Sequence, residues 1–257
     1  MSYRLGVDVG GTFTDLLLFD DKTRKVHLEK VPTTVENQSI GIIHGVEKLT
    51  RRIGIRPGDI DFFMHGTTVA TNAILEGKGA KTALITTEGF GDVLHIMRQD
   101  RPKLYDFFAR RPEPLIPRRL RFEARERVLF TGKVYRKLDE VRLRRIIVEL
   151  KKEKVAAVAV CLLHSYANPI HERRIRDILL RTCPGVSVSI SCEILPEIKE
   201  YERMSTTAMN AAVSSIVDNY LKALTSQLNR KGFQKTVHIM QSNGGVMTLE
   251  AAKSRCV

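Results

Sequence analysis

Two adjacent glycines near the start of the chain have the residue types and spacing of a phosphate-binding turn. Gly10 and Gly11 follow an apolar run over residues 5–9 and precede Thr12 and Thr14. Glycine has no Cβ, so the backbone can approach a bound group closely and present its N–H groups to it. The threonine hydroxyls can add further donors. We therefore expect these four residues to hold phosphate at the turn of a β-hairpin.

Two carboxylates flank this turn. Asp8 is the candidate to hold a Mg²⁺-bound water, and Asp15 is placed to support the turn. The residues that follow, 16–19, are apolar and strand-like, so the pattern is not the dinucleotide-binding fingerprint. The Gly-Lys-Ser/Thr of a Walker loop is also missing. The alternative interpretation is an ordinary Gly-Gly hairpin turn that binds no ligand.

A second polar segment contains the candidate catalytic residues. His65 stands at the end of an apolar strand, Thr67 and Thr68 open a helix, and Asn72 lies one turn after Thr68. The free N–H groups at a helix start favour an anion, and a histidine can serve as a general acid or base. The alternative is that the threonines only cap the helix and the histidine is satisfied in the core.

A third segment, Asn243-Gly244-Gly245, again places paired glycines after a strand. These residues are candidates for a further phosphate-binding turn. By itself the signal is weak, because Asn-Gly is also the commonest hairpin turn.

The elements that must position these residues alternate between strands and helices. The pattern predicts an antiparallel meander near residues 3–9, 14–20 and 24–31, a helix over 39–53, a strand at 61–64 and a helix through 75. Residues 101–117 carry four prolines and no periodicity, which predicts a long loop.

Beyond that loop, strands and helices alternate again, which indicates parallel pairing. Strands are predicted at 121–130, 155–163 and 186–190, with helices at 139–153 and 169–182. One long amphipathic helix over 197–230 and a strand over 236–240 follow.

Composition narrows the class of protein. A chain of 257 residues with 43% hydrophobic residues is globular and long enough for one large or two modest domains. The start has no apolar signal region and no apolar run is long enough to span a bilayer, so we expect a cytoplasmic protein. The four cysteines are widely spaced without a CxxC pair, which indicates reduced structural thiols.

The positive charge is concentrated in one region. Residues 98–154 hold 19 Lys or Arg against 9 Asp or Glu, a surplus of 10 in a chain of net charge +13. Such a surplus can indicate nucleic-acid binding, but no nucleic-acid-binding motif accompanies it. We favour a solvated face or a surface for an acidic partner subunit, and nucleic acid is the less favoured alternative.

The motifs together resemble the hydantoinase A / 5-oxoprolinase family, which includes subunits of acetone and acetophenone carboxylases. The matching stretches run from end to end of the chain: residues 6–15, 30–34, 65–72, 83–90, 98–99, 101–102, 104–106, 158–169, 195–203 and 240–245. The match is specific for the family and does not single out one substrate.

This resemblance implies an α/β protein with the actin-like ATPase (ribonuclease H-like) fold, which takes phosphate-binding turns from both of its halves. It implies ATP and Mg²⁺ as cofactors and a cyclic amide as substrate, such as 5-oxoproline, hydantoin or N-methylhydantoin. On this interpretation Asp8 positions Mg²⁺, Gly10, Gly11, Thr12 and Thr14 cradle phosphate, and His65, Thr67, Thr68 and Asn72 line the reacting pocket. The resemblance also allows a ketone carboxylase subunit.

Family subunits are usually more than twice as long as this chain. The resemblance therefore implies an N-terminal family domain at 1–190 and the truncated start of a second domain at 191–257. A shortened fragment, one half of a split gene and a truncated product all stay open as its origin. A partner subunit of the hydantoinase B type, or a missing C-terminal half, is expected for activity. The rival interpretations are another actin-like ATPase, such as a sugar kinase, and a non-catalytic assembly subunit.

Overall fold

The computed structural model describes residues 2–34, 37–100, 103, 105–110, 112–241 and 244–256. The chain divides into two compact units. The first unit combines the N-terminal residues through Gly77 with Ile216–Cys256, and the second unit is Lys78–Ser215. The second unit is therefore an insertion into the sequence of the first. The boundary between family domains predicted near residue 190 stays a prediction, because compact units and family domains are different divisions of a chain.

The strands, in chain order, are β1 (Tyr3–Val9), β2 (Phe13–Asp20), β3 (Val26–Pro32), β4 (Ile60–Thr67), β5 (Thr82–Thr87), β6 (Arg121–Ala124), β7 (Arg127–Val128), β8 (Val134–Arg136), β9 (Ala157–Cys161), β10 (Ser187–Ile190), β11 (Val237–Met240) and β12 (Val246–Thr248). The helices are α1 (Gln38–Ile53), α2 (Val69–Leu75), α3 (Val93–Ile96), α4 (Glu140–Lys152), α5 (Ile170–Thr182), α6 (Ser191–Ile194), α7 (Glu200–Arg230) and α8 (Leu249–Ser254). Short 3₁₀ turns lie at Pro57–Asp59 and Arg118–Leu120.

The first unit is built on a six-stranded sheet in the order β12-β11-β4-β1-β2-β3. The hairpin pairs β1–β2, β2–β3 and β11–β12 are antiparallel, whereas β1–β4 and β4–β11 are parallel. The predicted meander of the first three strands is confirmed. Their burial alternates along the chain, because successive side chains of a strand point to opposite faces.

One face of this sheet forms the core of the first unit. Alternate residues of β1 and β2, such as Leu5 and Leu16, cluster with α1 residues such as Leu49 and with the second half of α7. The side chain of Asn37 accepts a hydrogen bond from the Ser39 N–H at the start of α1, and Gly54 ends the helix in the left-handed conformation with φ of 74°.

The second unit contains a four-stranded sheet in the order β10-β9-β5-β6, with all pairings parallel. The parallel pairing predicted from strand–helix alternation is confirmed. Strands β5 and β9 are buried at every position, as expected for a parallel sheet covered on both faces. Helices α4 and α5 and the first half of α7 contribute to its core.

Several short elements differ from the sequence-based expectation. The single strand predicted over 121–130 is two strands, β6 and β7, which are interrupted at Arg125 and Glu126. The reason is that Glu126 is buried and accepts hydrogen bonds from elsewhere in the unit, so it leaves the ladder. Among the described residues, no helix is long and apolar enough to cross a membrane.

Candidate active site

Three of the segments singled out in the sequence meet at one edge of the six-stranded sheet. Strands β1, β4 and β11 run parallel, so their carboxyl ends lie at the same edge. The Gly10-Gly11 turn follows β1, Thr68 follows β4, and Gln241 and Gly244 follow β11. In α/β folds, this edge is where ligands bind. We call it the open edge.

The hairpin turn leaves backbone donors free. Gly10 donates its N–H to the carbonyl of Phe13 at 3.0 Å and closes the turn. The N–H groups of Gly11 and Thr12 donate to no acceptor within the described part of the chain. A Cβ added at Gly11 would meet no atom within 4 Å, so the backbone there is open to a bound group. Two free N–H groups at an exposed turn are donors that an anion could accept from.

Thr14 lies beneath the turn and is fully buried. Its hydroxyl pairs with the hydroxyl of Thr33 at 3.0 Å, and Thr33 donates to the Gly10 carbonyl at 3.0 Å. Thr33 also donates its N–H to the Thr12 carbonyl. As placed here, Thr14 supports the turn from the core face and offers no surface to a ligand. The phosphate contact predicted for the Thr14 hydroxyl stays a prediction, and in this structure that hydroxyl is buried and paired with Thr33.

Asp8 is exposed near the end of β1, on the face opposite the core. Gly66 lies beside it on β4, and a Cβ on Gly66 would come within 3.1 Å of Asp8 Oδ1. The missing side chain at position 66 therefore makes room for the carboxylate. Asp15 lies directly opposite Asp8 on β2 and forms an ion pair with Lys30 at 3.1 Å.

Two like charges directly opposite each other on a sheet are unfavourable unless a cation lies nearby. Lys30 supplies part of that positive charge. Among the described residues, no cluster of three or more His, Cys, Asp or Glu side chains could hold a metal ion alone. Mg²⁺ is commonly bound through one or two carboxylates together with substrate phosphates and water, and Asp8 fits that type of site.

His65 lies on the core face of β4 and is fully buried. Its Nε2 is 2.6 Å from the hydroxyl of Tyr220, and its Nδ1 is 3.4 Å from the Val7 carbonyl. Burial lowers the pKa of His65 from 6.5 to about 4, so the ring is neutral near pH 7. Asp8 and Gly66 lie on the opposite face. The structure therefore gives His65 the core position that was the alternative interpretation, and the predicted pocket-lining role does not fit this placement.

The other three candidate catalytic residues lie at the start of α2. Thr68 is exposed, and its hydroxyl donates to the Val9 carbonyl at 3.4 Å. Asn72 donates to the Thr68 hydroxyl at 3.3 Å, so these two share a helix face as predicted. The Thr67 hydroxyl accepts the N–H of Val69 at 3.2 Å. Thr68 and Asn72 are thus next to the end of β1, beside the hairpin turn.

The third glycine segment forms the β11–β12 turn. Gly244 has a φ of 83° and donates its N–H to the Gln241 carbonyl, and Gln241 donates to the Gly245 carbonyl. The N–H of Gly244 is therefore engaged in the turn itself. Asn243 lies outside the described residues. Gly244 and Gly245 belong to the same compact unit as the Gly10-Gly11 hairpin.

Sequence reasoning missed three residues that support the open edge: Thr33 beneath the turn, Lys30 beside Asp15, and Tyr220 against His65. Thr33 and Lys30 fall in the 30–34 stretch that carried the family resemblance, so a signal was present. Tyr220 lies on α7, far away in sequence, and the pattern of that helix gives no indication of its partner.

Comparison with known proteins identifies the family. The family model described as the hydantoinase/oxoprolinase N-terminal region matches residues 4–183, and the hydantoinase/oxoprolinase model matches residues 203–257. The chain therefore belongs to the hydantoinase/oxoprolinase family, and the predicted resemblance is confirmed.

Three curated relatives align with nearly all of this chain. An uncharacterized protein of Methanocaldococcus jannaschii is 45% identical over 99% of the chain and 37% of its own length. The caprolactamase subunit alpha of Pseudomonas jessenii is 34% identical over 99% of the chain and 37% of its own length. The acetophenone carboxylase gamma subunit of Aromatoleum aromaticum is 33% identical over 94% of the chain and 35% of its own length. The chain thus spans little more than a third of the length of these relatives.

Two solved structures share the fold. The ATP-dependent caprolactamase of Pseudomonas jessenii superposes with a TM-score of 0.88 at 32% identity, over 98% of this chain and 38% of that one. Nucleotide-free acetone carboxylase superposes with a TM-score of 0.86 at 25% identity, over the same two shares. The predicted α/β fold of the actin-like ATPase type is confirmed.

Proposed function

We propose that this chain carries the nucleotide-binding part of an ATP-dependent hydrolase that opens a cyclic amide. The observation that carries the proposal is the open edge, where the free N–H groups of Gly11 and Thr12 lie close to the exposed carboxylate of Asp8. One solved relative is an ATP-dependent caprolactamase, an enzyme named for a cyclic amide.

Each of the residues at this edge would have its own role in binding ATP and Mg²⁺. Gly11 and Thr12 donate backbone N–H groups to phosphate oxygens, and the exposed Thr12 side chain can add a hydroxyl donor. Asp8 orients the water shell of Mg²⁺, while Thr33 and Thr14 hold the turn in place from the core side. Thr68 and Asn72 are the polar side chains nearest to the turn from α2 and would face the reacting group.

When bound, ATP with Mg²⁺ would supply a phosphoryl group to the amide oxygen and so make the carbonyl carbon a better electrophile. The overall reaction would consume one ATP and two waters per ring opened, one water for the amide bond and one for the phosphoryl group, and would release ADP, phosphate and an open-chain amino acid. Coupling to ATP is chemically sensible, because opening an unstrained amide ring is at best weakly favourable.

A second candidate is a subunit of an ATP-dependent ketone carboxylase. The specific observation that favours it is that acetone carboxylase and an acetophenone carboxylase subunit match this chain about as well as the caprolactamase does. Both reactions activate a carbonyl oxygen, so the same phosphate-binding edge serves either. A third candidate, a nucleotide-binding assembly subunit without chemistry of its own, would use the edge for binding only.

The test is a titration with a fluorescent ATP analogue, with and without Mg²⁺. We expect binding to the unmodified chain, and the variant Asp8→Ala should lose the Mg²⁺-dependent part, with affinity reduced at least about tenfold. The matched control is Asp21→Ala, because Asp21 lies at the opposite end of the same hairpin and pairs with Arg4. Equal affinities for the Asp8 variant and the unmodified chain would rule out the metal role.

A turnover assay then separates the three candidates. The chain is supplied with a polypeptide that corresponds to the remaining length of its relatives, and the mixture receives ATP with 5-oxoproline, with hydantoin, or with acetone and bicarbonate. Equal amounts of ADP and ring-opened product support the hydrolase. A carboxylated ketone supports the carboxylase, and nucleotide binding without any product supports the assembly role.

A further inference from the structure

The six-stranded sheet of the first unit has a second face that is both apolar and exposed. On β2, Leu16 and Leu18 are buried in the core, but Leu17 between them is 45% exposed. On β3, Leu28 is 63% exposed. We call this side of the sheet the open face. Strands that carry apolar side chains on both faces are typical of sheets that are covered on both sides.

The open face is shaped as a groove of about 640 Å³. Gly6 on β1 and Gly66 on β4 form its floor, since neither has a side chain to fill it. Leu17 and Leu28 stand on one side, and Met64 and Met240 stand on the other. The floor lies along the central strands, so an element laid in the groove could approach the backbone closely.

The charges of the groove lie toward one end. Asp8, Asp15 and Lys30 lie near the hairpin turn, whereas the exposed side chains that line the groove farther along β2 and β3 are leucines. Glu29 also lines the groove, but it is buried and its carboxylate is paired with Lys48 and Arg52. A soluble protein rarely leaves a contiguous apolar patch of this kind uncovered, and in α/β folds helices are what cover such a sheet face. The chemistry of the groove therefore fits an amphipathic helix with a small polar end at the open edge.

The lengths of the relatives indicate where such a helix would come from. This chain aligns with 37% of the Methanocaldococcus jannaschii relative and with 38% of the solved caprolactamase chain, so the same fold is accompanied there by a large additional polypeptide. We propose that the open face is the docking surface for a helical layer supplied by the polypeptide that corresponds to that additional length. A second copy of this chain is the alternative occupant, and labelling the isolated chain at different dilutions distinguishes it from the additional polypeptide.

The experiment measures thiol reactivity in the groove. Leu28→Cys places a thiol on the open face, and Val148→Cys on α4 of the second unit is the matched control, with 62% exposure against 63%. Each variant is labelled with a maleimide, alone and fused to the part of the Methanocaldococcus jannaschii relative that lies beyond the match. The background from the four native cysteines is measured on the unmodified chain. No nucleotide is added, so the result is independent of the proposed function.

We expect the thiol at position 28 to react at least about tenfold more slowly in the fused protein, while the thiol at position 148 reacts at an unchanged rate. With the additional polypeptide supplied separately, Leu28→Glu should weaken binding at least about tenfold and Val148→Glu should not. Circular dichroism of each variant confirms that it is folded before binding is measured.

Three results would overturn the proposal. The first is equal labelling at position 28 in the fused and the isolated chain. The second is protection that already exists in the isolated chain and disappears on dilution, which would assign the groove to a second copy. If the fusion fails to fold, a cysteine at the position equivalent to Leu28 is labelled instead in the full-length relative and in its matched N-terminal portion. The third result is an equal labelling rate in those two proteins, which would also exclude the docking role.

Discussion

The sheets of the two units each have an edge formed by the carboxyl ends of parallel strands. The polar groups at these two edges differ in exposure and in hydrogen bonding. At the open edge of the first unit, the N–H groups of Gly11 and Thr12 have no acceptor among the described residues, and Asp8 is exposed. The carboxyl edge of the parallel sheet in the second unit also carries many polar groups. There they are buried and engaged with one another.

Glu172 is the centre of that second edge and is fully buried. Its carboxylate accepts the N–H of Leu162 at 2.8 Å, the Ser191 hydroxyl at 2.6 Å and the N–H of Cys192 at 2.9 Å. Ser165 continues the chain of contacts to the buried guanidinium of Arg203, which donates to it at 2.7 Å.

A second buried group at the same edge is Glu126, which accepts from Thr87 and lies 2.7 Å from Nδ1 of His171. The comparison teaches that a position at the carboxyl end of parallel strands does not by itself make a ligand site. What distinguishes the first unit is that its free donors lie at an exposed turn, whereas Arg203 Nε of the second edge, which also has no partner among the described residues, is buried. The second edge uses the same kinds of residues to join its strands to α5 and the start of α7.

The largest expected effect is the loss of stability on replacing Glu172, which tests whether the polar residues of the second edge stabilise the fold. Glu172→Ala removes one carboxylate and leaves the N–H groups of Leu162 and Cys192 without an acceptor, so the free energy of unfolding should fall by about 3 kcal/mol. Denaturant unfolding followed by circular dichroism measures it. The control Glu149→Ala, on the exposed side of α4, should cause little change. A loss below about 1 kcal/mol for Glu172→Ala would remove the contrast between the two edges.

A pH series tests whether His65, which is buried on the core face behind the open edge, is neutral in the folded chain. His65 has a pKa of about 4 in the folded chain and 6.5 ordinarily, so between these values the unfolded chain binds a proton that the folded chain does not. Stability from this group is therefore fully present above pH ~6.5 and is lost as the pH falls toward 4, by about 2–3 kcal/mol. The measurement compares unfolding at pH 7 and 4.5 for the unmodified chain and for His65→Gln. Identical pH slopes would show that His65 is not buried as a neutral ring.

Two glycine variants sharpen the comparison within the hairpin turn. A Cβ at Gly10 would lie 3.1 Å from the Phe13 carbonyl oxygen, whereas one at Gly11 would meet nothing within 4 Å. Gly10→Ala should therefore destabilise the chain by about 1 kcal/mol, and Gly11→Ala should leave stability unchanged or slightly raised. Thermal unfolding of both variants is the measurement. Equal losses would mean that residue 11 is not in open space.

The smallest expected effect concerns the exposed charges of the open edge. Asp15→Asn removes the ion pair with Lys30 but also relieves the repulsion from Asp8 directly opposite. Since exposed ion pairs contribute little, Tm should shift by less than about 2 °C. A large decrease would indicate that Asp15 is a structural residue like Glu172, and the two edges would then differ less than described.

Much of the open edge could be predicted from sequence, because its signals are local. The Gly-Gly turn, the apolar strands on either side of it and the helix after Thr68 are each readable within a few residues. The burial of His65 and Thr14 was also readable. His65 is two positions from Phe63, and Thr14 is two positions from Leu16, so period-two alternation places both on the core face.

The rest depends on contacts between distant parts of the chain. No local sequence pattern indicates that β11 pairs with β4 or that the Gly244 turn belongs to the first unit. Nor does any local pattern indicate that Tyr220 forms a hydrogen bond with His65. The closed network around Glu172 was missed for the same reason. Its acceptors and donors come from α5, from the segment after β9 and from Ser191, and each residue is ordinary in its own stretch of sequence.

The insertion of the second unit sets an order of events during synthesis. During synthesis β4 is followed by the whole of the second unit, and β11 is synthesised only after it. The sheet of the first unit therefore cannot be completed until β11 has left the ribosome. Lys235 and Asp61, which form an ion pair across that gap, are 174 positions apart. The second unit is continuous in sequence, so we expect it to fold first and thereby shorten the loop that must close before β11 pairs with β4. We expect the slow phase of refolding to report the joining of β11 to β4.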